Sequence, residues 1–249
     1  MLKQERQRVI INEVALHNRV LLTDIAEVLN VSVDTIRRDV IQLDTEKKIK
    51  KVHGGAISLS YANDGIQQDN VYALNKKITI AKKAIQLLKS GNVIIIHGGT
   101  TCLELAKNIP SNISLTCFTM SLPIALELAK KPKVEVIIVG GTLSKESLIA
   151  SGANAIHNLS KIKVDYSFIG TGYVDAEYGL TEFDWESVQV KKAVIQSSKK
   201  AVLLTISEKL NSQNRYKTCD LQEISIMATE LNASDDKLMN FREKNVVLL

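Results

Sequence analysis

The chain has 249 residues, 45% of them hydrophobic and 24% charged, and a formal net charge of +5. That is enough for one large core or two domains, with the balance of a soluble globular protein. The N-terminal MLKQERQR is charged and lacks an apolar core, which excludes a secretory signal there, and no apolar run approaches the roughly 18 residues that span a bilayer. The expected location is the cytoplasm, with no membrane partner. Cys102, Cys117 and Cys219 stand far apart with no C-x-x-C spacing, so the expectation is small buried thiols in a reducing compartment, not disulfides or a zinc site. The sequence pI near 9.0 is compatible with a polyanionic partner.

In residues 3–17, Ile10 and Val14 stand at helical spacing in a polar setting. After the short stretch RVLL, Thr23 has the character of an N-cap for a second helix over 24–29, with Asp24 where the helix dipole favours negative charge. Ile25, Ala26 and Leu29 are expected to face inward. NVS then makes a tight turn, and Ser32 is expected to cap a third helix, VDTIRRDVIQLD. Ile36, Val40 and Leu43 form its packed stripe, while Asp34, Arg38 and Gln42 point the other way, flanked by Thr35 and Arg37. Ile41 lies toward the outward side and spoils a clean amphipathic pattern. Next, KKIKKVHGGAI alternates as a strand pair with four lysines and no acid between 47 and 53.

Two short helices, a tight turn, a polar outward face and a basic hairpin describe a winged helix-turn-helix, although a surface strand beside a packing module would look similar in any one of these features. In that motif the second helix enters the major groove, where arginine can donate two bonds to guanine, and a basic wing holds phosphates. Ser32, Asp34, Thr35, Arg37 and Arg38 on the helix, with Lys50, Lys51 and His53 in the wing, are the expected contacts to double-stranded DNA. LTDIAEVLNVSVDTIRRDVIQLD followed by HGGA resembles the N-terminal domain of DeoR-type bacterial transcriptional regulators. That family commonly has glycine where this chain has Lys47, so either a non-glycine residue takes positive φ there or the turn differs.

The domains are therefore expected at 1–57 (winged helix-turn-helix), 58–75 (linker) and 76–249 (α/β). The segment from 57 to 75, ISLSYANDGIQQDNVYALN, is polar and aperiodic. Beyond it, KKITIAKKAIQLLKSG predicts a helix ending at Gly91. Strands follow at 93–96 and 115–119, with a helix over 103–109 between them, and then a helix with proline in its first turn. VEVIIVGG and DYSFIGTG read as further strands, WESVQVKKAVIQSSKK as a helix, and AVLLT and EISIMAT as the last strands. Repeated β-α units with continuous apolar strands predict a mainly parallel sheet covered on both faces.

Ligands of such sheets sit at the carboxyl ends of the strands, and here HGGTT, TMS, VGGTLS and IGTG cluster there. Glycine permits close backbone approach, while hydroxyls and helix N-termini donate to an anion. His97, Gly99 and Gly141 enter the candidate site on this basis. GTTCLELA, SLPIALEL, GLTEFDWESVQVKK and the later EK also resemble the DeoR-type sensor domain. The resemblance implies a fold similar to ribose-5-phosphate isomerase and CoA transferases, and recognition of phosphorylated sugars or related metabolites. It assigns Lys77, Thr100, Thr101, Ser121, Gly170, Gly172, Glu186, Lys191 and Lys209 to the effector pocket. Three positions depart from the family pattern: His97 and Ile206 replace aspartate, and Met120 replaces asparagine. These changes imply a less hydroxylated ligand or a weakened sensor, with His97 either a cationic contact or simply packed.

An isomerase would need a carboxylate base near its substrate, for which Glu186 and Asp184 are available. No nucleophile elbow, zinc helix, Walker loop or dinucleotide fingerprint occurs, and His17, His53, His97 and His157 lack metal-binding spacing. The reading is a metabolite-controlled regulator, a repressor by resemblance, with no cofactor or metal and a homodimer or homotetramer as its state. The alternatives are a ligand-independent DNA-binding regulator and a sugar-phosphate enzyme.

Overall fold

The computed structural model describes residues 1–59 and 71–249 and divides into two compact units, Met1–Tyr72 and Ala73–Leu249. In the first, helix α1 (Lys3–His17) is followed by strand β1 (Arg19–Leu21), α2 (Leu22–Leu29), α3 (Val33–Thr45), β2 (Lys50–Val52) and β3 (Gly55–Ile57). Ile10, Val14, Ile25, Ala26, Ile36, Val40 and Leu43 close one apolar core with Val20, Leu22, Ile49 and Ala56, and Leu29 packs on its margin. Ser32 caps α3, its hydroxyl accepting from the Thr35 amide at 3.2 Å.

The wing has a third strand that the sequence reading left unassigned. β1 pairs antiparallel with β3, giving the order β1-β3-β2, with Arg19 and Lys50 both opposite Ile57. This corrects the start of the second helix: Thr23 is not its cap. The chain runs straight from β1 into α2, and the Leu22 amide donates to the Gly54 carbonyl at 3.0 Å. Thr23 instead lies in the first turn, its hydroxyl donating to Asp24. The hairpin explains the paired glycines of HGGA. Gly54 takes φ +70°, and a Cβ on Gly55 would lie 2.1 Å from the Val20 carbonyl oxygen. At the end of α3, Lys47 does adopt the left-handed conformation, φ 53°. The Lys48 amide donates to the Leu43 carbonyl and the Lys47 amide to that of Asp44, both at 2.9 Å, which closes a Schellman motif.

The second unit runs α4 (Leu74–Ile85), β4 (Val93–Ile96), α5 (Thr100–Asn108), β5 (Leu115–Thr119), α6 (Leu122–Leu128), β6 (Val134–Ile138), β7 (Thr142–Leu143), β8 (Ala150–Ser151) and α7 (Ala153–Leu159). It continues with β9 (Val164–Gly170), β10 (Tyr173–Asp175), β11 (Gly179–Glu182), α8 (Trp185–Gln196), β12 (Ser198–Leu204), β13 (Tyr216–Cys219), β14 (Ile226–Ala228), α9 (Met239–Arg242) and β15 (Val247–Leu248). Seven strands form one sheet in the order β15-β14-β12-β9-β4-β5-β6, every pairing parallel, as the apolar strand runs predict. Ile95, Ile169 and Leu203 pack with α7 and α8 on one face, while α4 and α5 pack together on the other, over Ile94 and Ile96. From β4 the order proceeds one way to β5 and β6, and from β9 the other way, so β4 and β9 flank the topological switch point.

Several boundaries differ from the sequence reading. α4 takes in Leu74 and Asn75, assigned above to the linker, and stops at Ile85, after which the chain tightens into i→i+3 turns through Leu88. Gly91, with φ +92°, turns the chain into β4 instead of capping the helix. α5 starts at Thr100, three residues early. α8 stops at Gln196, because Ser198 already pairs with Val164 of β9. Two small antiparallel sheets, β10-β11-β13 and β7-β8, were not anticipated. The first turns at Asp175, whose carboxylate accepts from the amides of Glu177 and Tyr178 at 2.9 and 2.8 Å. All three cysteines are buried and free.

Candidate functional site

On the first unit, the exposed side of α3 carries Asp34, Arg37, Arg38 and Ile41, with Ser32 at its cap. Arg37 forms an i,i+3 ion pair with Asp34, whereas Arg38 is exposed and has no hydrogen-bond or ionic partner among the described residues. Thr35 is half-buried and its hydroxyl is shared with that of Ser32 at 2.8 Å. Ile41 is 45% exposed, so its outward reading holds. Asp39, the acidic residue of TIRRD, has a different job: it is buried, paired with Arg6 and bonded by Gln7, which ties α3 to α1. In the wing, Lys51 and His53 are exposed and Lys50 half-buried. The Lys51 amide donates to Asp44 at 3.0 Å, fixing the wing to the end of α3.

On the second unit, the candidate residues gather where adjacent strands end. His97, Gly99, Thr100 and Thr101 follow β4, Ser121 follows β5, Gly170 closes β9, Gly172 follows it, and Lys209 follows β12. Gly99 takes φ +101° as the N-cap of α5, which leaves Thr100 and Thr101 in the first helical turn, where backbone amides are free to donate.

The centre of the group is a carboxylate that the sequence reading missed. Glu182, 4% exposed, closes β11 and accepts from the Gly172 amide at 2.9 Å, from the Thr171 hydroxyl at 3.2 Å and from the Lys191 ammonium. Lys209 donates to the Thr171 carbonyl at 2.8 Å, and Lys191 acts on the same loop only through Glu182. Lys77, 4% exposed on α4, makes no ion pair among the described residues. Burial, and then repulsion from Lys209, pull its pKa down to about 7, with Glu104 and Glu208 offsetting only part. Burial also pulls Lys209 down to about 8; Glu182 opposes this and Lys191 adds to it. The signal that could have found Glu182 is an acid ending the short run GLTE, nine residues before Lys191.

Of the two readings of His97, the packed ring is the one its surroundings favour. Burial and the charge of Lys191 drive its pKa down to about 3, so it is a neutral ring, not a cation. Met120 is fully buried in the core beneath α7 and α8, and Ile206 is buried as well, so packing replaces the polar groups of the family pattern at both positions. Glu186 is exposed in the first turn of α8 and unpaired among the described residues, its carboxylate 4.0 Å from where Gly152 would carry a Cβ. Gly141 backs onto the Ser151 carbonyl, 2.3 Å from an added Cβ, at the end of the outermost strand β6. These two sit beside the β7-β8 hairpin and take no part in the lysine–carboxylate group. Beside that group, Lys76 pairs with Glu208 and with Glu230, which holds the Ser207 amide at 3.0 Å. Among the described residues no cluster of metal-ligating side chains occurs, and no helix is long and apolar enough to cross a membrane.

The fold and its two sites thus define a winged helix-turn-helix joined to a parallel α/β domain with a cationic rim, the build of a ligand-sensing DNA-binding regulator. The chain belongs to the DeoR family. The DeoR-like helix-turn-helix domain matches residues 6–62 and the DeoR C-terminal sensor domain matches 73–230. The HTH-type transcriptional repressor GlcR of Bacillus subtilis is 31% identical over 92% of this chain and 89% of its own. The HTH-type transcriptional regulator GolR of Listeria innocua is 30% identical over 91% and 90%, and the uncharacterized regulator YulB of Bacillus subtilis 29% over 99% and 96%. Among solved structures, ribose 5-phosphate isomerase A from Methanocaldococcus jannaschii is 19% identical over 54% of this chain and 53% of that one, with a TM-score of 0.40. The initiation factor subunit eIF2B β from Chaetomium thermophilum is 15% identical over 85% and 61%, at 0.44. This chain spans about half the length of the isomerase, and the likeness says nothing of activity.

Proposed function

We propose that this regulator binds operator DNA through α3 and the lysine wing, and that a phosphorylated sugar or a related anionic metabolite at the strand ends of the second unit controls its affinity. The observation that carries the reading is the charge imbalance at the rim. The charge of Lys209 acts on Lys77 and that of Lys191 on Lys209, and Glu182 is the carboxylate that pairs with Lys191. Two of the three lysines have depressed pKa values, which means that their charge is held against an unfavourable environment. A phosphate between them would restore the balance, with the Thr100 and Thr101 turn adding backbone donors. Symmetric DNA half-sites favour a homodimer or homotetramer.

The test is the melting temperature of the full chain against phosphorylated sugars and polyols, with the unphosphorylated compounds alongside. A ligand at 100 times its Kd adds about 2.7 kcal/mol of stability. The same ligand must then shift binding to an operator selected from random duplexes, because coupling of two sites is reciprocal. Phosphorylated and unphosphorylated compounds giving equal shifts would refute the reading.

A further inference from the structure

Helix α4 is where the second unit begins, and it starts from a strained residue. Ala73, the first residue of that unit, is the N-cap with φ 53° and ψ 39°, in the left-handed region, and brings no side-chain cap. N-caps are ordinarily extended and carry Ser, Thr, Asp or Asn, so nothing local to Ala73 favours this geometry. The first turn of the helix supplies a restraint. Lys76 pairs with Glu208 and, at 3.1 Å, with Glu230, and its ammonium lies 3.4 Å from the Ser207 hydroxyl. Glu230 in turn accepts from the Ser207 amide at 3.0 Å and from its hydroxyl at 2.5 Å. Lys76 thereby ties α4 to the 3-10 turn Ser207–Lys209, the turn that carries Lys209. An isolated exposed pair would contribute little, but here three acceptors share one ammonium and the Glu230 side chain is only 10% exposed. In the last turn of the helix Lys83 donates to the Leu231 carbonyl at 2.6 Å, so a change in the Lys76 contacts falls on the first turn.

The next residue works against this tie. Lys77 is 4% exposed, and the charge of Lys209 opposes its own. Neighbouring residues of α4 therefore act with opposite signs on one three-residue turn. Lys76 draws it in through Glu208 and Glu230, and Lys77 pushes it off through Lys209. We propose that the first turn of α4 and the turn Ser207–Lys209 form a two-position joint that passes occupancy of the rim to the DNA-binding unit, with Lys76 as its positioning residue. The proposal rests on the anion-sensing reading under Proposed function and adds how the signal leaves the site. An anion that neutralises Lys209 removes the repulsion and leaves the Lys76 contacts unopposed, so the ligand favours the closed joint. The chain runs from Tyr72 directly into Ala73, so a change of backbone at Ala73 turns the point from which the first unit hangs. A ligand shifts a conformational equilibrium only through differential affinity for the two states, and here the difference is the distance at which Lys77 and Lys209 repel.

The experiment uses the full chain as wild type and as Lys76→Met, Lys76→Arg and Lys77→Met. Affinity for an operator selected from random duplexes is measured by fluorescence anisotropy at one salt concentration, without added anion, with inorganic phosphate and with a panel of pentose and hexose phosphates. Both methionine variants remove one positive charge, so a long-range effect on DNA moves them the same way. The joint predicts that they move apart. Lys77→Met should shift the ligand-free Kd in the direction in which the active sugar phosphate shifts wild type, and Lys76→Met in the other, each by about 5-fold or more. Lys76→Arg, whose guanidinium can bridge the same carboxylates, should stay close to wild type. Lys76→Met should also keep the melting shift with that sugar phosphate, because Lys76 passes on the signal and does not hold the ligand. Methionine variants that move together, or Lys76→Met with a wild-type Kd both with and without the sugar phosphate, overturn the joint and leave the anion-sensing reading standing. If no sugar phosphate shifts the melting or the operator affinity of wild type, the anion-sensing reading falls. The ligand-free variants then decide the joint by themselves: opposite shifts uphold it, and equal or absent shifts overturn it.

Discussion

Lys47 occupies the C′ position of the Schellman motif that ends α3, with φ 53° and both closing hydrogen bonds formed. A residue with a Cβ is held there in a conformation that costs roughly 1–2 kcal/mol. Glycine would not incur that cost, but its greater freedom in the unfolded chain returns about 0.4–1 kcal/mol. Lys47→Gly should therefore stabilise the first unit by about 0.5–1 kcal/mol, which for a unit of this size raises Tm by about 2–8 °C. The exposed ammonium also favours the helix dipole and repels neighbouring lysines, so Lys47→Ala is the control: it removes the same charge and keeps the strained backbone. High salt screens what remains. The sequence has a single tryptophan, Trp185, in the second unit, so its fluorescence should not follow the change while far-UV circular dichroism does. If glycine and alanine variants melt together, or glycine melts lower, left-handed strain at Lys47 is not what the turn stores.

Arg38→Ala should weaken binding to a selected operator by about 1–3 kcal/mol and relax discrimination at one base pair; unchanged discrimination would make Arg38 a phosphate contact. Replacing Lys50 and Lys51 with alanine should weaken all duplexes alike and lower the salt slope by about one per lost phosphate contact, as measured by titration at several ionic strengths. Lys209→Ala should abolish the metabolite-induced melting shift while leaving operator affinity intact, and a normal shift would put the anion elsewhere. Lys77 and Lys209 are held at about 7 and 8, so above those values the unfolded chain binds more protons than the folded one. Stability of the ligand-free second unit should consequently rise from about pH 7 toward 10.5, and phosphate affinity should fall over the same interval as the ammonium groups discharge. Stability that is flat or falling in that window would contradict the burial of both lysines.

Local rules made much of this legible. Ser32 caps because its hydroxyl meets an amide three residues on, and Ile36, Val40 and Leu43 line a core because of their spacing alone. Apolar strands such as VIII over 93–96 signalled a sheet buried on both faces. What sequence could not show depends on partners distant in the chain. The start of α2 at Leu22 follows from β1 pairing with β3, more than thirty positions away along the chain. The end of α8 follows from Ser198 entering the register of β9, with no breaker in SSKK to mark it. Glu182 rather than Glu186 lies among the lysines because β11 folds back beside the Thr171–Gly172 loop, and the short β10-β11 hairpin that does this lacks a strong periodic signal. The ionisation of His97 is set by burial and by a lysine on another element, neither of which is written near position 97.

The strand order carries a consequence for how the second unit is made. The strand order lets β4, β5 and β6, the first to leave the ribosome, build a sheet outward in one direction. It leaves the bare side of β4 for β9 to dock on, with β12, β14 and β15 extending the opposite edge. No strand has to be inserted between two already paired, so assembly is accretion at free edges. Until β9 arrives, one flank of Ile94, Ile95 and Ile96 is open, a sticky edge in the nascent chain. The join between the early and late halves is also where the proposed anion site lies, Ser121 coming from the first and Glu182, Lys191 and Lys209 from the second. A metabolite bound there would act as a rivet across the join, coupling its supply to how long each new copy survives.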